Sequence, residues 1–120
     1  MYRTRIRNGI ANGVNFGGKY ALVEIGCGTS CRFAFLADVS TGMVYSFPYG
    51  GEEHYQLGLV YAADSRLIRA NWRIGEMKKK GEGIFEIACI SQDLVWSGTD
   101  FKVVNETTYK TTDWNCSPVY

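Results

Sequence analysis

Short β-forming runs separated by turn sequences recur along most of this chain, with roughly one turn every ten residues. Val, Ile, Tyr, Phe and Trp favour strands, whereas Gly, Asp, Asn and Ser favour the turns between them. No long segment repeats its apolar residues with the 3.6-residue period of an amphipathic helix. The pattern therefore predicts an all-β, mainly antiparallel meander of about eight strands, forming a twisted sheet, a small barrel or a sandwich. The predicted strands are 20–25, 32–39, 43–47, 57–61, 67–72, 83–91, 94–96 and 101–104.

The length of 120 residues predicts a single β-rich domain, because two ordinary hydrophobic cores need a longer chain. A complete β-propeller is excluded, since this length supplies only about three blades. Residues 1–18 contain four Gly and three Asn, which predicts an irregular lead-in with at most one helical turn around residues 4–10. Residues 77–83 combine three consecutive lysines with two glycines, and this composition predicts a solvated loop.

The charge balance is nearly even, with 13 Lys and Arg against 12 Asp and Glu. A formal charge of +1 provides no field that would attract nucleic acid or an anionic membrane to the whole surface. The apolar runs are far shorter than the roughly 20 residues of a membrane span. No apolar stretch with a cleavage site follows the basic start of the chain, so we expect a cytoplasmic protein as given, or a periplasmic one whose leader was removed.

Four cysteines, an even number, are compatible with two disulfides in any of three pairings. Cys27 and Cys31 are candidates for a small closed loop if their α-carbons approach within about 7 Å. Cys89 lies in an apolar run, where a buried free thiol is at least as good an interpretation as a bridge. The fourth is Cys116, and the pairing stays open at this point.

The chain carries the motif Asn-Phe-Gly-Gly-Lys-Tyr at residues 15–20 and the motif Gly-Cys-Gly-Thr-Ser-Cys at residues 26–31. With these motifs it resembles a bacterial family of small, mostly uncharacterised β-domains, and the likeness covers roughly residues 4–104. Members of that family usually begin with an export signal. The resemblance therefore implies a periplasmic domain with a disulfide between Cys27 and Cys31. Lys19 stands where the family tends to place a histidine, so the resemblance implies no shared acid–base residue here. Further matches to the family are the segments 38–42, 64–67 and 96–98, and Phe101.

The residue types that carry catalysis or bind metals are present but do not form recognisable sets. His54 is the only histidine, and it cannot complete a typical zinc triad. Cys27 and Cys31 are separated by three residues, whereas redox and metal pairs usually have two between them. Three serines lie in predicted turns without a positioned base: Ser30, Ser40 and Ser65. We therefore predict no catalytic residue, no cofactor and no bound metal, and expect that the chain is not an enzyme.

The chain contains eight Tyr, six Phe and three Trp, more than one core layer of short strands requires. Such rings are enriched at protein interfaces because a rigid ring buries much area with little lost entropy, although packing in the core is the alternative for each ring. The aromatic residues that flank predicted loops are Tyr45, Tyr49, Tyr55, Trp72 and Trp114.

The longest predicted loop follows Phe47, because Pro48 and the Gly50-Gly51 pair cannot continue a central strand. The acidic pair after these glycines keeps the next segment at the surface, next to two tyrosines and the histidine. The loop therefore predicts a surface for a protein partner, formed by Tyr49, Glu52, Glu53, His54 and Tyr55.

These observations favour a non-catalytic protein-binding domain, most concretely an immunity protein that neutralises a bacterial toxin. The acidic loop predicts a basic partner, such as the active site of a nuclease. The alternative is an exported periplasmic structural or envelope domain with a disulfide between Cys27 and Cys31. A small enzyme centred on His54 ranks last.

Overall fold

The computed structural model describes residues 2–113 and residue 116 and places most of them in two antiparallel sheets. Sheet A contains β1 (Tyr20–Gly26), β2 (Arg32–Asp38) and β3 (Val44–Ser46), in that order. Sheet B contains β4 (Gly58–Tyr61), β5 (Leu67–Gly81), β6 (Ile84–Trp96) and β7 (Phe101–Thr111), in that order. The all-β antiparallel prediction is confirmed, with two open sheets instead of a closed barrel.

The two sheets share one hydrophobic core. Leu22 and Leu36 of sheet A are buried in the same cluster as Ile68, Leu94 and Trp96 of sheet B. Successive residues of a strand point to opposite faces, so apolar residues at alternate positions fill the space between the sheets. This burial is the main source of stability of the fold.

The lead-in before β1 is anchored to both sheets. The Asn15 side chain pairs with the Leu22 backbone, accepting its N–H at 2.6 Å and donating to its carbonyl oxygen at 3.1 Å. Phe16 is fully buried in the core. Gly17, whose φ of 63° suits a residue without a β-carbon, donates its N–H to the Ser65 carbonyl oxygen at 2.9 Å. The first part of the 15–20 motif therefore holds the lead-in in place.

The prediction of at most one helical turn near the start of the chain is wrong, because residues Arg3–Ala11 form a nine-residue helix, α1. This helix packs on the outer face of sheet A, where a β-carbon on Gly9 would lie only 2.4 Å from Val23. Tyr2, just before the helix, makes an edge-to-face contact with Phe33 of β2 at 5.0 Å. Docking therefore stabilises a helix that would be marginal in isolation. No described helix has the length and apolar character needed to cross a membrane.

The predicted solvated loop at residues 77–83 is also wrong, because β5 continues through it to Gly81 and the turn is only two residues long. The lysines are exposed, as predicted, but they lie on a strand whose backbone pairs with β6. The two predicted strands 83–91 and 94–96 are one continuous strand, so the described residues contain seven strands where about eight were expected. Ladder hydrogen bonds thus sustain a strand in a segment whose side chains favour solvent.

A second, smaller cluster covers the outer face of sheet B. It consists of Ile87, Cys89 and Cys116, with Met77 and Tyr109 packed against them. Sheet B is much longer than sheet A, and the molecule measures 53 × 31 × 19 Å. The second cluster therefore packs on β5, β6 and β7 near the β5–β6 turn.

Candidate functional site

The loop between β3 and β4 is held against sheet A by two consecutive glycines. A β-carbon on Gly50 would lie 2.6 Å from the β-carbon of Phe33, so only glycine fits there. The Gly51 N–H donates to the Arg32 carbonyl oxygen at 3.0 Å, and a short 3₁₀ turn, Glu52–His54, follows. The loop on which we placed the partner-binding residues is therefore fixed by backbone contacts.

Three rings form a cluster under this loop. Tyr49 and His54 lie with their centroids 4.8 Å apart, and both rings contact Trp72 of β5, at 4.7 and 5.0 Å. The His54 Nδ1 lies 3.1 Å from both the amide nitrogen and the carbonyl oxygen of Gly50. His54 is thus held by packing and by the backbone, an arrangement that supports the loop.

Tyr49 also connects the loop to the far edge of sheet B. Its hydroxyl donates to Gln92 Oε1, and Gln92 Nε2 donates to Glu106 on β7. Burial raises the pKa of Tyr49 above its ordinary value, so the phenol stays protonated and remains a donor. The loop and β7 therefore belong to one hydrogen-bonded arrangement.

The remaining predicted residues lie at the surface beside this cluster. Glu52 and Glu53 are exposed, and Tyr55 is half-buried with the Arg73 guanidinium 4.8 Å from its ring centroid. We call Tyr49, Glu52, Glu53, His54 and Tyr55 the loop surface. All five residues lie on one segment of the chain, and Trp72, Arg73 and Gln92, which sequence reasoning did not place there, contact its tyrosines.

Not every aromatic residue near a loop lies at the surface. Trp72 is buried in the core, and Tyr45 packs against Trp96 at 5.0 Å. The core alternative is the correct one for Trp72, whereas Tyr45 is partly buried against the core. Trp114 lies outside the described residues.

A cleft of about 570 Å³ opens beside the Cys27–Cys31 loop, and sequence analysis did not predict it. Ser30 and Gln56 both line it, and both have left-handed backbones, with φ of 57° and 59°. The Gln56 N–H donates to the Ser30 carbonyl oxygen at 3.0 Å, so the two unusual residues stabilise each other. Non-glycine residues rarely adopt this conformation, and it is enriched at binding sites. No sequence signal distinguishes Gln56 from an ordinary loop residue.

One wall of the cleft carries charged groups. Arg32 and Glu24 form an ion pair at 3.3 Å, and the Tyr61 hydroxyl donates to Glu24 Oε2 at 3.0 Å. Burial, with the neighbouring Glu24 carboxylate, raises the pKa of Tyr61 to about 12. The volume lies within the range of small-molecule sites, but the wall's charged groups already satisfy each other.

Both cysteine pairs form disulfides. Cys27 and Cys31 are bridged with α-carbons 5.0 Å apart, as the family resemblance implies. Cys89 is bridged to Cys116 with α-carbons 5.8 Å apart, and it is fully buried as well. Of the two interpretations of Cys89, the bridge is therefore correct and the free thiol is wrong. The expected burial of Cys89 is confirmed.

The other segments on which the family resemblance rests lie at the ends of strands β2, β5 and β6. Ser40 donates to Asp38 Oδ1 through its hydroxyl at 2.7 Å and its N–H at 2.9 Å, and Lys19 Nζ lies 3.2 Å from the other Asp38 oxygen. The Trp96 N–H donates to the Arg66 carbonyl oxygen at 3.0 Å. Segments 38–42, 64–67 and 96–98 therefore shape turns and core contacts.

The carboxyl group of Asp38 makes the free energy of unfolding depend on pH in the acidic range. Hydrogen bonds from Ser40, above all from its hydroxyl, lower the pKa of Asp38 to about 2, whereas an unfolded Asp titrates near 3.9. The unfolded chain therefore takes up this proton first, and the stabilisation falls as the pH drops from about 4 to about 2. Urea unfolding between these pH values should show a steeper loss for the natural chain than for Asp38→Asn, and equal slopes would contradict the assignment.

Ser30, Ser40 and Ser65 all lie in turns, as predicted. The Ser65 hydroxyl accepts the Leu67 N–H at 3.1 Å, the contact of a turn residue. Within residues 2–113 and 116, no group of three or more metal-ligating side chains comes together.

Comparison of the chain with models of known protein families, with curated proteins and with solved structures finds no match.

Proposed function

We propose that this chain is a non-catalytic protein-binding domain that neutralises a bacterial toxin by covering its active site with the loop surface. The observation that carries the proposal is that one loop, with its backbone bonded to sheet A, carries two exposed carboxylates and the rings of Tyr49, His54 and Tyr55. A preformed surface loses little conformational entropy on binding, and this favours affinity.

The charge of the loop surface supports a basic partner. Glu52 and Glu53 are adjacent and exposed. They directly follow Gly50 and Gly51, whose contacts with β2 fix the position of the loop backbone. Active sites that bind nucleic acid phosphates present Arg and Lys, so a nuclease offers the complementary charge. Two carboxylates in the place of substrate phosphates would compete directly with the substrate.

The rings support the same interpretation. Tyr49 and Tyr55 flank the carboxylates, and both residues are partly exposed. Tyrosine is among the residues that contribute most to binding energy at interfaces. The loop surface thus combines an apolar contact with a charged one.

The proposal is tested by mixing the purified chain with the toxin encoded beside its gene and measuring affinity and toxin activity. We expect a complex at micromolar concentration or below and loss of the toxin activity. Glu52→Lys with Glu53→Lys should weaken binding by about 100-fold or more, because like charges in an interface cost several kcal/mol.

The matched control is Glu76→Lys with Glu82→Lys, which makes the same charge change at two exposed positions on the β5–β6 hairpin. This control should bind like the natural chain if the loop surface is the interface. No complex at micromolar concentration, or equal weakening by both variants, would overturn the proposal.

The second candidate is an exported structural or envelope domain, and the two disulfides favour it. Disulfides persist mainly in oxidising compartments such as the periplasm, and both cysteine pairs are bridged. The resemblance to a family of periplasmic domains points the same way. An exported inhibitor would combine both candidates.

Mass spectrometry of the protein from its own cells, with thiols blocked at lysis, tests export. Two disulfides lower the intact mass by four hydrogen atoms and leave no cysteine to alkylate. Four alkylated cysteines together with cytoplasmic fractionation would overturn the exported-domain proposal.

A further inference from the structure

β7 is an open edge of sheet B. In the order β4-β5-β6-β7 it pairs with β6, and no other strand of the described residues lies beside it. It is 11 residues long and contains no proline. An edge strand of this length presents a row of backbone N–H and C=O groups that can pair with another strand.

The second half of this edge is the regular half. The register with β6 shifts between Asp93 and Leu94, which leaves Val104 as an extra residue and disturbs the strand there. From Asn105 to Thr111 the pairing runs without interruption. This regular segment is rich in Thr and also contains Tyr109, residues that favour strands.

Two opposite charges lie on one face of the regular segment. Glu106 is opposite Gln92 and Lys110 is opposite Ala88, and these positions are four residues apart on each strand. Both side chains therefore project from the same face of sheet B, the face that carries the core. Lys110 is exposed, and no ion pair of the described residues includes it.

We propose that two copies of this chain pair through β7, antiparallel and centred on Thr108, so that their sheets join into one sheet of eight strands. In this register Glu106 lies directly opposite Lys110 of the partner subunit, and the twofold symmetry repeats the pair. On the other face Thr107 lies opposite Tyr109 of the partner subunit, a pairing that suits an antiparallel sheet.

The chain disfavours the neighbouring registers. Centring the pair on Glu106 would place two carboxylates opposite each other, which is destabilising. Centring it on Val104 would put the bulge in the middle of the interface. The Val104 register would place Lys102 of one copy opposite Glu106 of the other. The two side chains could not form an ion pair there, because Lys102 is opposite Val95 and projects from the other face of the sheet. Only the Thr108 register forms two complementary charge pairs within an uninterrupted strand.

The pairing would connect the two loop surfaces. Glu106 already accepts a hydrogen bond from Gln92, which accepts one from Tyr49 of the loop surface. A dimer would therefore present two loop surfaces on the same face of the joined sheet. The inference rests on the β7 edge alone, so it stands or fails independently of the proposed toxin partner.

Sedimentation velocity of the natural chain from about 1 to about 100 µM tests the pairing, since weak dimers assemble in this range. We expect a species of twice the 13.4 kDa mass to grow with concentration. Lys110→Glu places like charges at both symmetric positions and should raise the dissociation constant about tenfold or more.

A charge swap identifies the register. The double variant Glu106→Lys with Lys110→Glu exchanges the two charges and should restore dimerisation to near the natural level. Lys102→Glu makes the same single charge change on β7 outside the paired segment and should leave the dissociation constant unchanged. Circular dichroism verifies that each variant is folded.

A chain that is monomeric throughout this range overturns the proposal. So does a dimer that Lys110→Glu does not weaken, or a weakened dimer that the charge swap does not restore. Hydrogen exchange on the natural chain adds a readout that needs no variant, because pairing should protect alternate amides of residues 105–111 more strongly at high concentration. Equal protection at both ends of the range also overturns it.

Discussion

Trp96→Ala is expected to lower the free energy of unfolding by about 3–5 kcal/mol, a large share of the stability of a domain this size. Trp96 is almost fully buried, and its ring contacts Tyr20, Tyr45 and Phe101 at centroid distances of 5.8, 5.0 and 4.8 Å. Removing the indole leaves a cavity that rings from both sheets line, and close-packed side chains relax into such a space only in part. Urea unfolding monitored by circular dichroism measures the loss.

Trp96→Phe is the matched control for this prediction. It keeps a ring in the cluster and removes an indole N–H that has no hydrogen-bond partner among the described residues. The expected loss is about 1–2 kcal/mol, because the smaller ring forfeits contacts but no hydrogen bond. Equal losses for both variants would show that the position does not form the centre of the core.

Removing the Cys89–Cys116 disulfide by the double variant Cys89→Ala with Cys116→Ala should destabilise the chain by about 3.5 kcal/mol. The bridge joins residues 27 apart, and cross-linking a loop of this length removes considerable entropy from the unfolded chain. Both sulfurs are also buried in the second cluster beside Ile87, so packing is lost in addition.

The pair Cys27→Ala with Cys31→Ala is the comparison within the same chain. These residues are only four apart and close a hairpin loop in which Cys27 is exposed, so the expected loss is about 2 kcal/mol or less. Thermal or urea unfolding of both double variants, without reductant, gives the order of the two effects. The reverse order would contradict the assignment of the longer bridge as the stabilising one.

The strands that were predicted correctly from local sequence are those in which the run of β-forming residues ends at a turn residue. The prediction for 20–25 is one residue short of β1 and that for 32–39 is one residue longer than β2, because the apolar residues and the flanking Gly or Asp mark the ends. The loop surface was predicted as a set for a similar reason: its five residues are almost contiguous. Its role as a binding surface stays a proposal.

Features that join distant segments were not predictable from the chain alone. Trp72 and Gln92 lie far along the sequence from Tyr49, and only the pairing of β5 with β6 brings them under the loop. The left-handed backbone of Gln56 has no sequence signal, and its N–H bonds to Ser30, which is distant in the chain. Asn71 is fully buried with an amide that no described residue satisfies, and alternation would not predict a polar group there.

By itself the sequence determined the fold class, the position of most turns and the segment that carries the loop surface, because strand period and turn chemistry act between near neighbours in the chain. The tertiary structure decided that residues 3–11 form a helix, that β5 runs through three exposed lysines, and that Cys89 bonds to Cys116. Each of these outcomes depends on a surface or a strand that a distant part of the chain supplies. Packing and ladder hydrogen bonds from those distant parts outweigh the local preferences of a few polar residues.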